Sequence, residues 1–379
     1  MQKDYKEIHL KPYAIKSLYC KGRLYKEKPS IVRSPFQRDR DRIIHSSSFR
    51  RLKHKTQVFV NTEGDHYRTR LTHSMEVAQI SRTLARALSI NEDLCETLSL
   101  SHDLGHTPFG HAGEEVLSDC MESFGNFDHN IQTIRIVTCL EKKYYQYYGL
   151  NLTLETLDGL LKHNGPYNDN TVIDNLIGTK NLKNKINLRA FPSLEAQIAS
   201  ISDDIAYNNH DIQDGYSAGL FTIHELKEIS FFNEIFKKYS TKIKTDKKIL
   251  IYQMVRDSIN LMVKDLIKNS LINFKINKIN KLNDVYNCEN KLVCFSPNYE
   301  NIINEIRFFL RSKMYKNNKV LKKNSEGKTI IAKLFKSISK NPRKFLTFLP
   351  IKHNKYRSIA DYISGMTDRF AINIYKSIK

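Results

Sequence analysis

The chain has 379 residues, of which 40% are hydrophobic and 27% charged, enough apolar material to bury a sizeable core. No apolar run approaches the ~18 residues of a membrane span, and the start MQKDYKEIHLKPYAIKSLYC lacks the apolar centre of a secretory signal. The six cysteines (Cys20, Cys95, Cys120, Cys139, Cys288, Cys294) form no CxxC pair, so the expectation is a cytoplasmic protein with reduced thiols and no membrane partner. A formal net charge of +21 suits an anionic substrate or a polynucleotide. The excess lysine, however, is dispersed among Ile, Asn and Tyr, as in KNNKVLKKNSEGK at 316–328, a composition that AT-rich coding also produces.

Taken in chain order, residues 1–66 read as basic and irregular, with Pro12, Pro29 and Pro35 breaking any long helix. From Arg70 the pattern becomes helical: Val77, Ile80, Leu84 and Leu88 share one stripe, and His73, four residues earlier, extends it inward. Asn91 is a good N-cap for the next helix, followed by Glu92 and Asp93 in its first turn. Leu94, Leu98 and His102 are spaced four apart on its core face. Glycines and Pro108 end it, and another helix starts near His111 with Val116, Leu117, Cys120 and Phe124 as its apolar positions. A later helix opens after Pro192, its stripe formed by Leu194, Ile198, Ile201 and Ile205, with Asp203, Tyr207 and Asp211 four apart on a different face. Residues 213–284 look helical and polar-rich, and NCENKLVCFSPNYE at 287–300 marks a boundary. Strand signals are weak and there is no Asn-Gly hairpin, so the class is mostly α.

The stretch SHDLGHTPFGHAGEE at 101–115 concentrates titratable side chains between two helices. Of His73, His102, Asp103 and Asp203, three extend or adjoin buried stripes, where an unpaired charge is costly. Nitrogen and oxygen donors without thiolate suit Mn²⁺, Mg²⁺, Fe²⁺, Ni²⁺ or Co²⁺ better than a structural zinc. Taken singly, each residue has a plainer account. An inward histidine is often a satisfied core residue, His102 and His106 form an i,i+4 pair, and Asp203 with Asp204 reads equally as a solvated face.

The order His73, His102-Asp103, Asp203 resembles the HD phosphohydrolase superfamily. The texts FQRDRDRIIHSSSFRRLKHKTQVF (36–59), EGDHYRTRLTHSMEVAQISRTLARAL (63–88), SHDLGHTPFGHAGE (101–114), SDDIAYNNHDIQDG (202–215) and DYISGMTDRF (361–370) are similar to one branch of it. That branch is the deoxyguanosinetriphosphate triphosphohydrolase-like proteins, bacterial dNTP triphosphohydrolases, and roughly 220–350 is where the likeness fades. Ser202-Asp203-Asp204 stands where the family more often has Ala-Asp-Glu, which keeps Asp203 in register.

The resemblance implies an all-helical HD fold with an additional C-terminal helical region. It divides the chain into 1–66, an N-terminal segment contributing to the nucleotide site, and 67–212, the HD phosphohydrolase domain. A helical connecting region at 213–284 and a phosphohydrolase-associated region at 285–379 follow. It implies that water cleaves a deoxynucleoside triphosphate at the α-phosphate, releasing deoxynucleoside and tripolyphosphate, in control of deoxynucleotide pools. One divalent metal ion per site would be held by His73, His102, Asp103 and Asp203. His111 and Glu114 match the catalytic pair, three residues apart on one helical face. Gln57, Tyr207 and Asp211 match positions that hold the sugar 3′ hydroxyl, and Arg70, His106 and His129 match triphosphate contacts. His163, in LKHNGPY, is family-like without an assigned role. The family also implies a homo-oligomer, most often a hexamer, and association of some members with DNA, here single-stranded. The alternatives are an HD reaction on another nucleotide and a nucleic-acid-binding protein with a vestigial site.

Overall fold

Side-chain caps set the starts of the helices that matter, and a computed structural model places them as the sequence predicts. It describes residues 7–57, 67–167, 182, 185–241, 246–346 and 354–378. Thr69, in a reciprocal capping box with Thr72, opens α3 (Arg70–Leu88). Asn91 accepts from the Leu94 N–H at 3.1 Å to open α4 (Glu92–Ser101), and Ser193 caps α8 (Leu194–Ser217). Among the described residues there is no sheet, only isolated bridges such as Thr56 with Thr69.

The N-terminal segment departs from the expectation of irregular chain. It contains α1 (Pro35–Ile44) and α2 (Ser47–Arg51). Pro35 opens α1 instead of breaking it, because at the first helical position its missing N–H is not needed and its fixed φ already suits a helix. Ser34 completes the start by accepting from the Gln37 N–H at 3.1 Å. The α1 carboxylate of Asp39 is fully buried and accepts from Thr153 N–H at 2.8 Å, which welds α1 to α7 (Leu154–Leu161).

The centre is a packing of α3 on α4 and on α8. Val77, Ile80, Leu84 and Leu88 are buried in one cluster with Leu194, Ile198 and Ile205, while Leu94 and Leu98 join Ala78 in a second. Replacing one such leucine by alanine would cost ~2–5 kcal/mol. Behind α8 lie α9 (Ile223–Leu226), α10 (Ser230–Ser240), α11 (Lys247–Ile276), α12 (Leu282–Tyr286) and α13 (Pro297–Leu310). Leu292, Val293 and Phe295, in the segment read as a boundary, are buried in that core.

A separate apolar cluster joins α5 (Gly110–Met121) to α14 (Asn318–Lys340), α16 (Lys355–Ser364) and α17 (Asp368–Ser377), after the short α15 (Pro342–Phe345). Leu117 and Met121 meet Ile331, Leu334 and Ile338 there. The C-terminal region is also tied to α6 (His129–Arg135) by Arg135, whose Nε and Nη2 donate to Asp361 at 2.9 and 2.6 Å. All six cysteines are free, and among the described residues no helix is long and apolar enough to cross a membrane.

Candidate metal centre and acid–base cluster

The capped first turn of α3 places Arg70 and His73 on its buried face. His102 ends α4, Asp103 follows in a tight turn (His102–Gly105), and Asp203 projects from the middle of α8. These elements bring His73 Nε2 to 2.8 Å from Asp203 Oδ1, and His102 Nε2 to 3.6 Å from the same oxygen. Donor atoms of His73, His102 and Asp203 all lie within 4.8 Å of one another.

The His102 ring is oriented from behind. Its Nδ1 lies 2.7 Å from the Ser99 carbonyl, which can only accept, so Nδ1 carries a proton and Nε2 is the atom turned to the site. That buried Nε2 has no hydrogen-bond partner, as a position left for a cation requires. Asp103 stands at the edge of the group. Its Oδ1 is 3.5 Å from His102 Nε2, while Arg70 Nη1 holds Oδ2 at 2.9 Å and His106 Nε2 lies 3.1 Å from Oδ1.

The electrostatics ask for positive charge. Burial alone would raise the Asp103 and Asp203 carboxyls, but Arg70, His102 and His106 hold the first well below the usual range, and His102, His163 and His73 do the same for the second. Burial would lower His102, yet the two carboxylates push it up to about 9. Two anionic side chains, Asp103 buried and Asp203 partly so, are balanced by protonated imidazole or by a divalent ion, and the donor set fits the ion.

A glycine makes the adjoining cluster. A Cβ on Gly105 would lie 2.0 Å from the His129 carbonyl, so only glycine lets the start of α6 approach this turn. Its N–H donates to Thr133 Oγ1 at 2.9 Å. Phe109 and Gly110 then take φ of 62° and 58°, turning the chain into α5, whose first turn carries His111 and Glu114. Glu114 Oε1 accepts from the His129 N–H at 3.0 Å and sits 2.7 Å from His129 Nδ1. Its Oε2 lies 3.6 Å from His106 Nδ1 and 3.8 Å from His111 Nδ1. Burial opposes ionisation of Glu114, but His111 and His129 overcome it and hold the carboxyl far below its ordinary value. The same carboxylate raises His129 against the effect of burial. His106, buried and beside Arg70 and His129, is pushed well down and stays neutral. His111 is the exposed member, with 67% of its side chain accessible, so Glu114 grips His129 more firmly than the partner that spacing suggested.

Of the predicted sugar-side residues, Tyr207 and Asp211 follow Asp203 at one and two turns along α8, whereas Gln57 lies beside Gly110. Tyr207 faces Tyr315 with ring centroids 6.3 Å apart, and the Tyr315 hydroxyl donates to Asp211. Burial pushes Asp211 up to about 8 and Tyr207 above its ordinary range. Gln57 leaves its Oε1 buried without a partner, and its carbonyl oxygen lies 3.4 Å from the position of a Cβ on Gly110. Asp204, beside Asp203 in sequence, instead pairs with Arg307 of α13 at 2.8 Å. His163 Nε2 lies 3.7 Å from Asp203 Oδ2 and its ring stacks on His102, with centroids 5.3 Å apart. His163 and Tyr315 thus enter the site without a local sequence signal for their positions. His163 was visible only as part of LKHNGPY.

The HD domain family model matches residues 70–208, and the phosphohydrolase-associated domain model matches 293–377. Helical fold, convergent His and Asp donors and these matches define a phosphohydrolase of the HD class. Curated relatives called deoxyguanosinetriphosphate triphosphohydrolase-like protein cover nearly the whole chain. The one from Pelagibacter ubique (strain HTCC1062) is 63% identical, covering 94% of this chain and 97% of its own. That from Bartonella quintana is 46% identical over 97% and 94%, and that from Rickettsia felis is 42% identical over 97% and 98%. A solved structure of a hypothetical protein from Aquifex aeolicus aligns over 83% of this chain and 79% of that one, at 19% identity and a TM-score of 0.28. The chain belongs to the deoxyguanosinetriphosphate triphosphohydrolase-like family.

Proposed function

We propose that this phosphohydrolase is a metal-dependent dNTP triphosphohydrolase, converting a deoxynucleoside triphosphate to deoxynucleoside and tripolyphosphate. The observation that carries the reading is the Asp203 oxygen approached by His73 Nε2 at 2.8 Å and His102 Nε2 at 3.6 Å, next to the Glu114 cluster. A divalent ion held by His73, His102, Asp103 and Asp203 would supply Lewis-acid stabilisation of the α-phosphate and a water of lowered pKa.

This chain's own residues do the remainder. Arg70, buried at the centre, and the histidines His106 and His129 face the polyphosphate with donors. His111, exposed at the mouth, protonates the departing 5′ oxygen, while Glu114 orients the imidazole and balances its charge. Gln57, Tyr207 and Asp211 receive the sugar 3′ hydroxyl, and the crowding by Tyr207 and Tyr315 at that end disfavours a 2′ hydroxyl. In this reading residues 1–66 complete the nucleotide site, 67–212 form the HD domain, 213–284 connect and 285–379 buttress it. Homo-oligomerisation and a cytoplasmic setting are what the family implies, and the charge of +21 suits an anionic substrate or a single strand.

The test is product analysis. Purified protein is incubated with each dNTP, singly and mixed, with Mn²⁺ or Mg²⁺. Deoxynucleoside and tripolyphosphate are expected, with the reaction abolished in Asp103→Ala and His111→Ala. Pyrophosphate or orthophosphate as the product would reject the reading.

A further inference from the structure

The motif DYISGMTDRF lies outside the ligand and acid–base sets, yet its Asp368 is 2% exposed and bonds to two segments that border the site. Asp368 Oδ2 accepts from the Thr56 N–H at 2.9 Å and from the Thr56 hydroxyl, while Oδ1 accepts from the Phe109 N–H at 3.1 Å. The carboxylate is not needed to cap its own helix, because Thr367 accepts from the Phe370 N–H at 3.3 Å. Both oxygens are instead given to two site segments. One is Lys55–Gln57, which carries the sugar-side glutamine. The other is Pro108–Gly110, which launches His111.

Phe109 needs such a hold. Its φ of 62° is unfavourable for a residue with a side chain, a strain that surrounding contacts must sustain. Lys55 ties the same pieces from the other side: its buried Nζ donates to the carbonyls of His106 and Ser364, the second at 2.7 Å. A helix packed against the loop completes the clamp, since a Cβ on Gly327 of α14 would lie 2.8 Å from Phe109 Cβ.

We propose that Asp368, with Lys55, is a positioning residue that locks the sugar-side segment and the start of the acid–base helix into one mutual geometry. The C-terminal region is then an integral part of the active site. This rests on the reading of Gln57 and His111 given above. It separates Asp368 from an ordinary core residue, because its loss misplaces two reacting-site segments without touching the metal donors.

The experiment compares Asp368→Asn, which keeps the shape but sets an amide N–H against a backbone N–H, with Thr367→Ala. The latter weakens the same helix and touches neither segment. Thermal midpoint, Mn²⁺ affinity, kcat and KM on dGTP, and amide exchange of 52–57 and 101–116 are measured for both and for the wild type. Both variants are expected to bind Mn²⁺ within about twofold of the wild type. The asparagine variant should lose kcat on the order of 10²-fold, as misplacement of about 1 Å does, and exchange faster in both segments, while Thr367→Ala does neither. Loss of kcat in proportion to lost stability in both variants, or unchanged exchange in Asp368→Asn, overturns the proposal. If Asp368→Asn does not fold, Thr56→Val, which removes only the hydroxyl donor to the same oxygen, is read by the same measurements. A wild type inactive on every dNTP would reject the activity reading alone, and the exchange comparison would still decide this one.

Discussion

Replacing Arg70 by methionine keeps most of the buried stem and removes the charge that faces Asp103 at 2.9 Å. Both partners are nearly inaccessible, so the buried carboxylate loses its largest compensating charge and keeps only His102 and His106 beside it, which costs ~3–5 kcal/mol. For 379 residues the unfolding entropy is ~0.8 kcal/mol/K, so the metal-free thermal midpoint should fall by about 4–6 °C. Arg70→Met/Asp103→Asn, lacking both charges, should recover most of that loss. Saturating Mn²⁺ should also recover more than half of it in the single variant, because a cation bound by Asp103 replaces the guanidinium. The assay is thermal unfolding of wild type, both single variants and the double variant, with and without Mn²⁺. A double variant as unstable as the sum of its parts would refute the pairing argument. A penalty unchanged by Mn²⁺ would remove Asp103 from the ligand set.

Glu114→Gln should lower kcat at least ~10²-fold while leaving Mn²⁺ affinity near wild type, since it disables the acid–base cluster and spares the metal donors; steady-state kinetics beside a metal titration checks this. Asp211, raised to about 8 by burial, keeps its proton in the folded chain where the unfolded chain has lost it. The unfolded state then binds fewer protons between about pH 4 and 8, so stability falls as pH rises through that window. Asp211→Asn should flatten the slope in urea titrations at several pH values, and an unchanged slope would contradict the burial argument. Gly105→Ala places a Cβ 2.0 Å from the His129 carbonyl and 2.5 Å from the Thr133 nitrogen, both backbone atoms. Overpacking there should cost at least ~1–3 kcal/mol and lower kcat as α6 withdraws, and wild-type urea stability would show the close approach to be wrong.

Helices were legible where one local pattern sufficed. The α3 stripe from Val77 to Leu88 is buried, Asn91 is the N-cap of α4, and the α8 stripe from Leu194 to Ile205 lies in the core apart from the partly buried Ile201. His73 and His102 followed because each extends such a stripe inward. What was not legible depends on contacts between distant segments. Asp211 meets Tyr315 across 104 residues and Asp368 meets Thr56 across 312, and neither pairing leaves a periodicity in the text. The firm grip of Glu114 on His129 was missed because i,i+3 spacing favours His111, whereas the absent Gly105 side chain lets α6 come closer. Pro35 misled for a simpler reason: a proline read as a breaker is also the residue that best starts a helix.

Whether these side chains form a metal centre is decided by equilibrium Mn²⁺ binding to the metal-free wild type and to Asp203→Ala, which removes the carboxylate that His73, His102 and His163 all approach. The wild type is expected to bind a single high-affinity Mn²⁺ per chain and the variant to lose it, with both proteins folded. Equal binding by the two, or a wild type that binds none, would contradict the metal-centre assignment.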